Sequence, residues 1–235
     1  MNVAEVFVSL QGEGPYAGAS TVFVRFAGCN RTCRYCDTVQ WRSVNGAQTL
    51  SPHAVAAAAR DLARRTHAEF IALTGGEPTV QAHLVRLLAL LRDCPARVYL
   101  ETNASKPSRV EACCRTGVVG VLAVNLKLPA DDRRHRGTVD GAIRCGRIAA
   151  RYGVEWFLKM VVTRECLRDR TVAAAARAVQ RSGARTVVLQ PMTFRRMSAG
   201  VRRDLLIATG KLLRALRPVA QCVWVVPQLH RTVAR

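Results

Sequence analysis

The sequence lacks a long hydrophobic run and any segment of the kind that directs export. No stretch approaches the roughly 20 uncharged apolar residues that a membrane-spanning helix requires, although 49% of the 235 residues are hydrophobic. The opening segment, MNVAEVFVSLQGEGP, contains neither a basic start nor a small-residue cleavage site. We therefore expect a cytoplasmic protein with no membrane partner.

Lysine and aromatic residues are scarce as well. Four of the 36 basic residues are Lys, aromatic residues make up 6% of the chain, and the formal net charge is +20. Clustered Lys and Arg would indicate a nucleic-acid partner because they neutralise phosphates. Here the basic residues are spread along the whole length, and no basic run contains aromatics that could stack on bases. We assign the charge to solvated helix faces, interpret 131–136 as a surface loop, and expect no nucleic-acid partner.

The chain also shows no internal linker, repeat or low-complexity segment. Its length falls within the usual range of one α/β domain and is sufficient to bury a sizeable core. We therefore predict a single domain that covers residues 1–235.

Short apolar, β-branched runs alternate with stretches of helical periodicity. The runs lie at 21–27, 69–74, 97–101, 118–125, 154–162, 185–190 and 220–226. The helical stretches begin at Ser51-Pro52 and continue at 79–92, 107–115, 138–151, 167–181 and 199–216. Repeated β–α units imply parallel strands with right-handed crossovers. About six units are too few for an eight-fold barrel, so we predict an α/β fold, an open partial (β/α)6 barrel with an extra N-terminal strand at 3–9.

Three of the nine cysteines, Cys29, Cys33 and Cys36, lie close together directly after the first strand of the predicted barrel. They belong to the segment GCNRTCRYCDT, residues 28–38, which we call the cluster loop. A structural zinc site uses four protein ligands, and no fourth Cys or His stands nearby at zinc-finger spacing. Three thiolates instead suit a 4Fe-4S cluster that keeps one iron open for a non-protein ligand. The alternative is that three small cysteines merely pack in a loop.

The other six cysteines show no ligand spacing. They are Cys94, Cys113, Cys114, Cys145, Cys166 and Cys222. Because they lie in apolar helical and strand segments, we predict that they are small core residues rather than ligands of a second cluster.

The cluster loop resembles the CxxxCxxC loop of the radical S-adenosylmethionine (radical SAM) superfamily, with the aromatic Tyr35 before its last cysteine. A second superfamily element matches at Thr74-Gly75-Gly76-Glu77-Pro78, which ends the second strand of the predicted barrel. Glycines let the backbone approach a ligand closely, and a carboxylate can accept from an ammonium group. The resemblance implies S-adenosylmethionine (SAM) as a cofactor and a partial barrel of the radical SAM type. Taken alone, GGEP could be an ordinary strand-to-helix turn.

Further segments resemble the 7-carboxy-7-deazaguanine synthase family over nearly the whole chain. They are Ser9–Gly14 with Gly18, Phe23–Arg25, Cys36-Asp37-Thr38, Glu101-Thr102-Asn103, Gln190-Pro191-Met192 and Pro227–His230. The resemblance implies ring contraction of 6-carboxy-5,6,7,8-tetrahydropterin to 7-carboxy-7-deazaguanine with loss of ammonia, in 7-deazapurine (queuosine or archaeosine) biosynthesis. It also implies Mg²⁺ as a cofactor, regeneration of SAM, and an electron donor such as flavodoxin or ferredoxin. We further expect a homodimer.

The same resemblance implies a set of site residues. The cluster ligands are Cys29, Cys33 and Cys36, and the magnesium ligand is Thr38. The SAM-binding residues are Tyr35, Cys36, Asp37, Gly75, Gly76, Glu77, Asn125, Leu126, Lys127 and Gln190. The substrate-binding residues are Leu10, Gln11, Gly12, Glu13, Arg25, Thr74 and His230.

Some of these positions have ordinary alternatives or depart from the family pattern. Arg25 would hold the substrate carboxylate through a two-pronged bond; otherwise it is a surface cation beside Glu13, and Lys159 or His230 takes its place. Thr38 could be an ordinary turn hydroxyl. Many family members read Ser-Pro-Lys in place of 125–127, and Gly at the position of Ala104.

Two other functions remain open from the sequence. A glycyl-radical-enzyme activating protein would share the cluster loop and GGEP, although it has no reason to carry the QGEG of 11–14 or the terminal PQLH of 227–230. A non-enzymatic nucleic-acid-binding module with a structural metal would explain the basic composition.

Overall fold

Seven parallel strands and a two-stranded antiparallel extension form one sheet in the part of the chain that the computed structural model describes, residues 1–128, 138–193 and 197–229. The strands are β1 (Asn2–Leu10), β2 (Ser20–Phe26), β3 (Gln48–Thr49), β4 (Phe70–Gly75), β5 (Arg97–Thr102), β6 (Val119–Asn125), β7 (Glu155–Val162), β8 (Thr186–Pro191) and β9 (Cys222–Val225). The α-helices are α1 (Pro52–Thr66), α2 (Leu84–Leu90), α3 (Pro107–Cys114), α4 (Thr138–Arg151), α5 (Asp169–Ser182) and α6 (Ala199–Leu216). Short 3₁₀ turns lie at Val39–Trp41, Pro78–Val80 and Arg164–Leu167.

The strand order is β3-β1-β2-β4-β5-β6-β7-β8-β9, with parallel pairing from β2 to β9. Each parallel step is made through one of the six helices, so the predicted open partial (β/α)6 barrel with an extra N-terminal strand is confirmed. Within the described residues, β9 pairs with β8 alone, and the sheet stays open at that edge. The sequence analysis missed β3, which is two residues long and pairs with Asn2 and Val3 of β1.

Helix α1 shows how local sequence sets the boundaries. The Ser51 hydroxyl accepts a hydrogen bond from the Ala54 backbone N–H (3.1 Å), and Pro52 occupies the first turn, where its missing N–H costs nothing. The helix ends at His67, which takes a left-handed conformation with φ of 51°. Its apolar face then packs against the sheet. None of the described helices of the chain is long and apolar enough to cross a bilayer.

The sheet separates two apolar layers. Its outer face packs on the helices, where Val22, Val24 and Leu122 are completely buried. The inner face carries a smaller cluster around Phe70, Tyr99 and Phe157. Because successive side chains of a strand point to opposite faces, each central strand contributes to both layers.

The cysteines outside the cluster loop are mostly core residues, as predicted. Cys113, Cys114, Cys145 and Cys166 are at most 2% exposed. Burial raises the pKa of the Cys113 and Cys145 thiols to about 12, which disfavours the thiolate form that binds metals. The prediction was wrong for Cys222, which is exposed on the edge strand β9.

Candidate active site at the carboxyl ends of the strands

A cavity of about 600 Å³ opens at the carboxyl ends of the parallel strands. Ligands bind at this end of such sheets because strand ends and the loops that follow them converge there. All the predicted site residues except Leu126 and His230 line this cavity. The cluster loop, the GGEP turn and the loop after β1 therefore meet in one place, although they are far apart in sequence.

Leu126 and His230 have different outcomes. The Leu126 side chain is 1% exposed and belongs to the outer hydrophobic core, because Asn125, one residue earlier, takes the inward-facing position. Only its backbone is near the site, with its N–H donating to the Lys159 carbonyl at 2.8 Å. Any contact of Leu126 with SAM would therefore come from its backbone, and the predicted role stays a prediction. His230 lies outside the described residues. Lys127, which follows Leu126, lines the cavity, and its Nζ lies 5.0 Å from the centre of the Tyr35 ring.

The cluster loop is folded back on itself by the residues that follow it. The Gly28 and Cys29 backbone N–H groups donate to the Trp41 and Arg42 carbonyls, both at 2.9 Å. The Arg42 guanidinium donates in turn to the Cys33 carbonyl. Burial raises the pKa of the Cys29 thiol, the Arg31 backbone N–H opposes that shift, and nearby Glu77 and the other two cysteines add to it.

The three cysteines fit a cluster better than a single ion. All three line the cavity, yet within residues 1–128, 138–193 and 197–229 no three Cys, His, Asp or Glu side chains lie close enough together to hold one metal ion. A 4Fe-4S cube binds each thiolate through a different iron, so its ligands stand further apart than those of a zinc ion.

The two glycines of the GGEP turn bring it against the start of the cluster loop. A Cβ on Gly75 would lie 2.2 Å from the Phe26 carbonyl oxygen, and one on Gly76 would lie 2.1 Å from the Gly28 carbonyl oxygen. The Gly76 and Glu77 backbone N–H groups donate to these same carbonyls at 2.8 and 2.9 Å. The close approach that requires glycine is therefore to the protein's own backbone, in addition to any ligand.

Glu77 both holds the GGEP turn in place through hydrogen bonds and lines the cavity. It is 1% exposed, and its Oε1 accepts from both the backbone N–H and the hydroxyl of Thr79 and from the Thr102 hydroxyl. Its Oε2 accepts from the Asn103 backbone N–H at 2.6 Å. Burial raises the pKa of Glu77, and these hydrogen bonds oppose the shift. The carboxylate is fixed in place by protein donors at the edge of the cavity.

Lys159 lies at the centre of a buried ion cluster. Its ammonium group donates to both Glu13 and Glu101, and its side chain is 4% exposed. Glu101 also accepts from the Asn125 amide and the Thr74 hydroxyl, each at 3.1 Å. Burial alone would lower the pKa of Lys159, but the two carboxylates raise it well above its usual value. Burial would raise the pKa of Glu101, yet Lys159 keeps it below the usual value, which favours the ion pair between them.

The C-terminal segment reaches the same cluster. The Gln228 amide donates to Glu13 and to Asp37, both at 3.1 Å, and the Leu229 backbone N–H donates to the Gly12 carbonyl at 3.0 Å. The Gln190 amide donates to Glu13 at 2.9 Å. Its Oε1, however, is buried without a hydrogen-bond partner in the described part of the chain. Native proteins rarely leave such an atom unsatisfied, so Gln190 offers an acceptor to a ligand.

Arg25 is not paired with Glu13. Its Nε lies 2.9 Å from Glu5, and its guanidinium lies 5.2 Å from the centre of the Phe7 ring. The alternative of a surface cation beside Glu13 is therefore wrong in its partner, because Glu13 is held by Lys159. Arg25 is half-buried and lines the cavity.

Three residues of the site had no role in the sequence analysis or only a secondary one. Lys159 was a substitute for Arg25, although a lone charge inside the apolar run EWFLKMVV is a detectable signal of a buried partner. Gln228 belonged to the PQLH segment without an assigned contact. Arg31 carried no signal beyond its place in the cluster loop.

Comparison with known proteins agrees with this geometry. The sequence profile of the Radical SAM superfamily matches residues 23–187. The 7-carboxy-7-deazaguanine synthase of Methanopyrus kandleri is 34% identical, with 99% of this chain and 93% of that protein covered. That of Hyperthermus butylicus is also 34% identical, with 82% and 77% covered. The crystal structure of QueE from Escherichia coli shares the fold, with a TM-score of 0.59 at 19% identity over 97% of this chain and 94% of that one.

The superfamily match makes the chain a radical SAM enzyme, so its cofactors include a 4Fe-4S cluster and SAM, as predicted. Within that superfamily, the chain belongs to the 7-carboxy-7-deazaguanine synthase family. The resemblance found in the motifs is thereby confirmed. Membership favours this synthase over a glycyl-radical-enzyme activating protein or a nucleic-acid-binding module.

Proposed function

We propose that the enzyme converts 6-carboxy-5,6,7,8-tetrahydropterin into 7-carboxy-7-deazaguanine, with loss of ammonia. The observation that carries this proposal is the shared cavity, in which the cluster loop faces a ring of buried polar side chains. A flat substrate rich in amide groups needs fixed donors and acceptors at such a place. The cavity supplies them from the ends of neighbouring strands.

The residues that would hold the cofactors lie on one side of the cavity. Cys29, Cys33 and Cys36 would hold the cluster, and Glu77 would receive the ammonium group of SAM through the unused capacity of its Oε2. Tyr35, Asp37, Gly75, Gly76, Asn125, Lys127 and Gln190 would complete the SAM site. When bound, the cluster supplies an electron and SAM supplies the radical chemistry that starts the ring contraction.

The substrate would lie against the other side. Arg25 would hold its carboxylate, because its side chain lines the cavity and its buried Nε, although 2.9 Å from Glu5, has no hydrogen-bond partner in the described residues. A two-pronged bond through Nε and an Nη group is therefore available. Glu13, Thr74 and the 10–12 backbone would bind the ring. The ion cluster supports this binding, because the contact with Lys159 fixes the Glu13 carboxylate, which is then an acceptor of constant position.

Magnesium would use a single protein ligand, Thr38. Its hydroxyl lies at the cavity, 3.8 Å from the Cys36 sulfur. Mg²⁺ keeps several waters and takes substrate oxygens readily, so one hydroxyl beside a bound carboxylate is a workable site.

We also propose an external electron donor such as flavodoxin or ferredoxin, a homodimer, and a cytoplasmic location. The reductant follows from the need to supply electrons to the cluster. A reducing compartment would keep the three ligand thiols available.

The experiment is anaerobic turnover of the reconstituted enzyme with dithionite, SAM, Mg²⁺ and carboxytetrahydropterin. We expect 7-carboxy-7-deazaguanine by mass spectrometry, and 5′-deoxyadenosine far below product because SAM is regenerated. Cys33→Ala should lose most of its iron and its activity. Cys222→Ala is the matched control, since that cysteine is exposed and remote from the cavity, and should keep both. Iron-loaded wild-type enzyme that cleaves SAM but forms no deazaguanine would refute the proposal.

A further inference from the structure

Arg31 is a buried cation in the middle of the cluster loop. It is 5% exposed, lies between Cys29 and Cys33, and lines the cavity that both cysteines line. Its Nε and Nη1 are buried and have no hydrogen-bond partner in the described residues. It also forms no ion pair with a carboxylate of the described part of the chain.

Such a group is costly as it stands. An Arg side chain stays protonated inside a protein. A buried charge without a partner loses its hydration and gains nothing in return, so native proteins pair such groups or bring them to a ligand. The buried carboxylate of the GGEP turn, Glu77, is already occupied by Thr79, Thr102 and Asn103.

A bound 4Fe-4S cluster would supply the negative charge that Arg31 lacks as a partner. Three thiolates on a 4Fe-4S cube give it a net negative charge in its oxidised state, and reduction adds another. The backbone at Arg31 is already turned toward one ligand, because its N–H hydrogen-bonds the Cys29 sulfur. The side chain of the same residue lies in the loop that wraps the cluster.

We infer that Arg31 donates its Nε–H and Nη1–H to sulfur atoms of the cluster and thereby favours the reduced state. The inference rests on the cluster assignment of the proposed function and adds a residue outside the ligand set. Hydrogen bonds to the sulfurs and net charge are among the factors that set the potential of such clusters. A cation close to the cluster stabilises the more negative, reduced form.

The test is an EPR-monitored redox titration of the reconstituted enzyme without SAM. Arg31→Met keeps the length of the side chain but removes the charge and the donors. We expect its midpoint potential to fall by at least about 59 mV, which is a tenfold loss of reduced cluster at a fixed potential. Arg31→Lys keeps the charge without the planar fork and should lie between the two.

Arg34→Gln is the matched control. Arg34 belongs to the same loop and carries the same charge, but it is exposed and does not line the cavity. Its loss should leave the potential close to that of the wild type. Equal potentials for Arg31→Met and Arg34→Gln would overturn the inference. If Arg31→Met does not fold, an unchanged potential in Arg31→Lys has the same consequence.

A second readout needs no cluster. In iron-free protein the two buried donors without partners, Nε and Nη1, destabilise the fold, so Arg31→Met should unfold at a higher temperature than the wild type. A clearly lower unfolding temperature would mean that Arg31 is a structural cation with a protein partner, which contradicts the inference. These outcomes are separate from the proposed function: a loaded cluster without product refutes the reaction, whereas an unchanged potential refutes only the role of Arg31.

Discussion

Strands β5 and β7 are joined by an ion pair at each end, and the two pairs have opposite physical characters. At the amino ends of the strands, Arg97 lies 2.8 Å from Glu155, and their side chains are 47% and 53% exposed. At the carboxyl ends, Glu101 pairs with Lys159, whose side chain is 4% exposed. The basic residue lies on β5 at the amino ends and on β7 at the carboxyl ends.

The two ion pairs differ in how much free energy their formation costs, because only one of them loses its hydration. The exposed pair keeps much of its hydration, and its Arg97 guanidinium also lies over the rings of Tyr16 and Phe70, so this pair costs little to form. The buried pair loses hydration, and a third charge, Glu13, is brought in from another loop. The fold does not require a buried group of three charges. Because Lys159, Glu13 and Glu101 line the same cavity as the cluster loop, we infer that these charges serve the function.

The largest effect should follow from breaking the buried pair. Lys159→Met leaves Glu13 and Glu101 without their cation, and removing one partner of a buried pair costs about 3–5 kcal/mol. Urea unfolding of the iron-free protein at pH 7 measures the loss. A cost below about 1 kcal/mol would show that the two carboxylates reach solvent and that the pair is not buried in effect.

The same variant should change the pH dependence of stability. In the wild type Lys159 keeps the pKa of Glu101 below its usual value, so the charged carboxylate stabilises the folded state at pH values above the usual carboxyl range. This stabilisation is lost as the pH falls through the lowered pKa. In Lys159→Met the hydrogen bonds from Asn125 and Thr74 remain, but the cation no longer opposes burial, which is the largest influence on that pKa and raises it. The deficit of the variant should therefore be largest near neutral pH and shrink as acid protonates the carboxylates. A deficit that is constant from pH 7 to pH 5 would contradict this.

The strands, the helices and their apolar faces could be predicted from the sequence, whereas the partners of the buried charges could not. Strand and helix positions follow from local periodicity and from caps such as Ser51, and these signals act over a few residues. The Lys159 cluster joins residues 146 and 58 positions apart. No periodicity encodes such contacts, so motif resemblance placed Glu13 in the site but not its partner.

Register explains the error at Arg25. Glu5 lies opposite Arg25 in the antiparallel pairing of β1 with β2, and the pairing is shifted by an irregularity between Val3 and Glu5. Alternation correctly placed Arg25 on the face opposite Val22 and Val24. The partner of Arg25 follows from the register of the β1–β2 hairpin, which pairs Val6 with Val24 and Glu5 with Arg25, and the sequence does not mark that register.

A smaller effect is expected from the apolar layer of the same strand. Phe157 lies two residues before Lys159 on the inward face, 2% exposed, with its ring 6.3 Å from that of Tyr99. Phe157→Leu should cost about 1–2 kcal/mol, because a somewhat smaller apolar side chain leaves a partial void. Since no charge is involved, the cost should be the same at pH 5 and pH 7, and iron content should not change. A pH-dependent cost would show that the aromatic layer supports the ion cluster above it.

The smallest effect should come from the exposed pair. Glu155→Gln removes the charge and keeps one of the two oxygens that accept from Tyr16 and Arg97 in the wild type. Exposed ion pairs contribute about 0–1 kcal/mol, and salt screens them. We expect a loss of stability of at most about 1 kcal/mol at low salt, less in 1 M salt, and normal turnover. A loss comparable to that of Lys159→Met would show that position in the strand, rather than burial, sets the cost of breaking an ion pair in this fold.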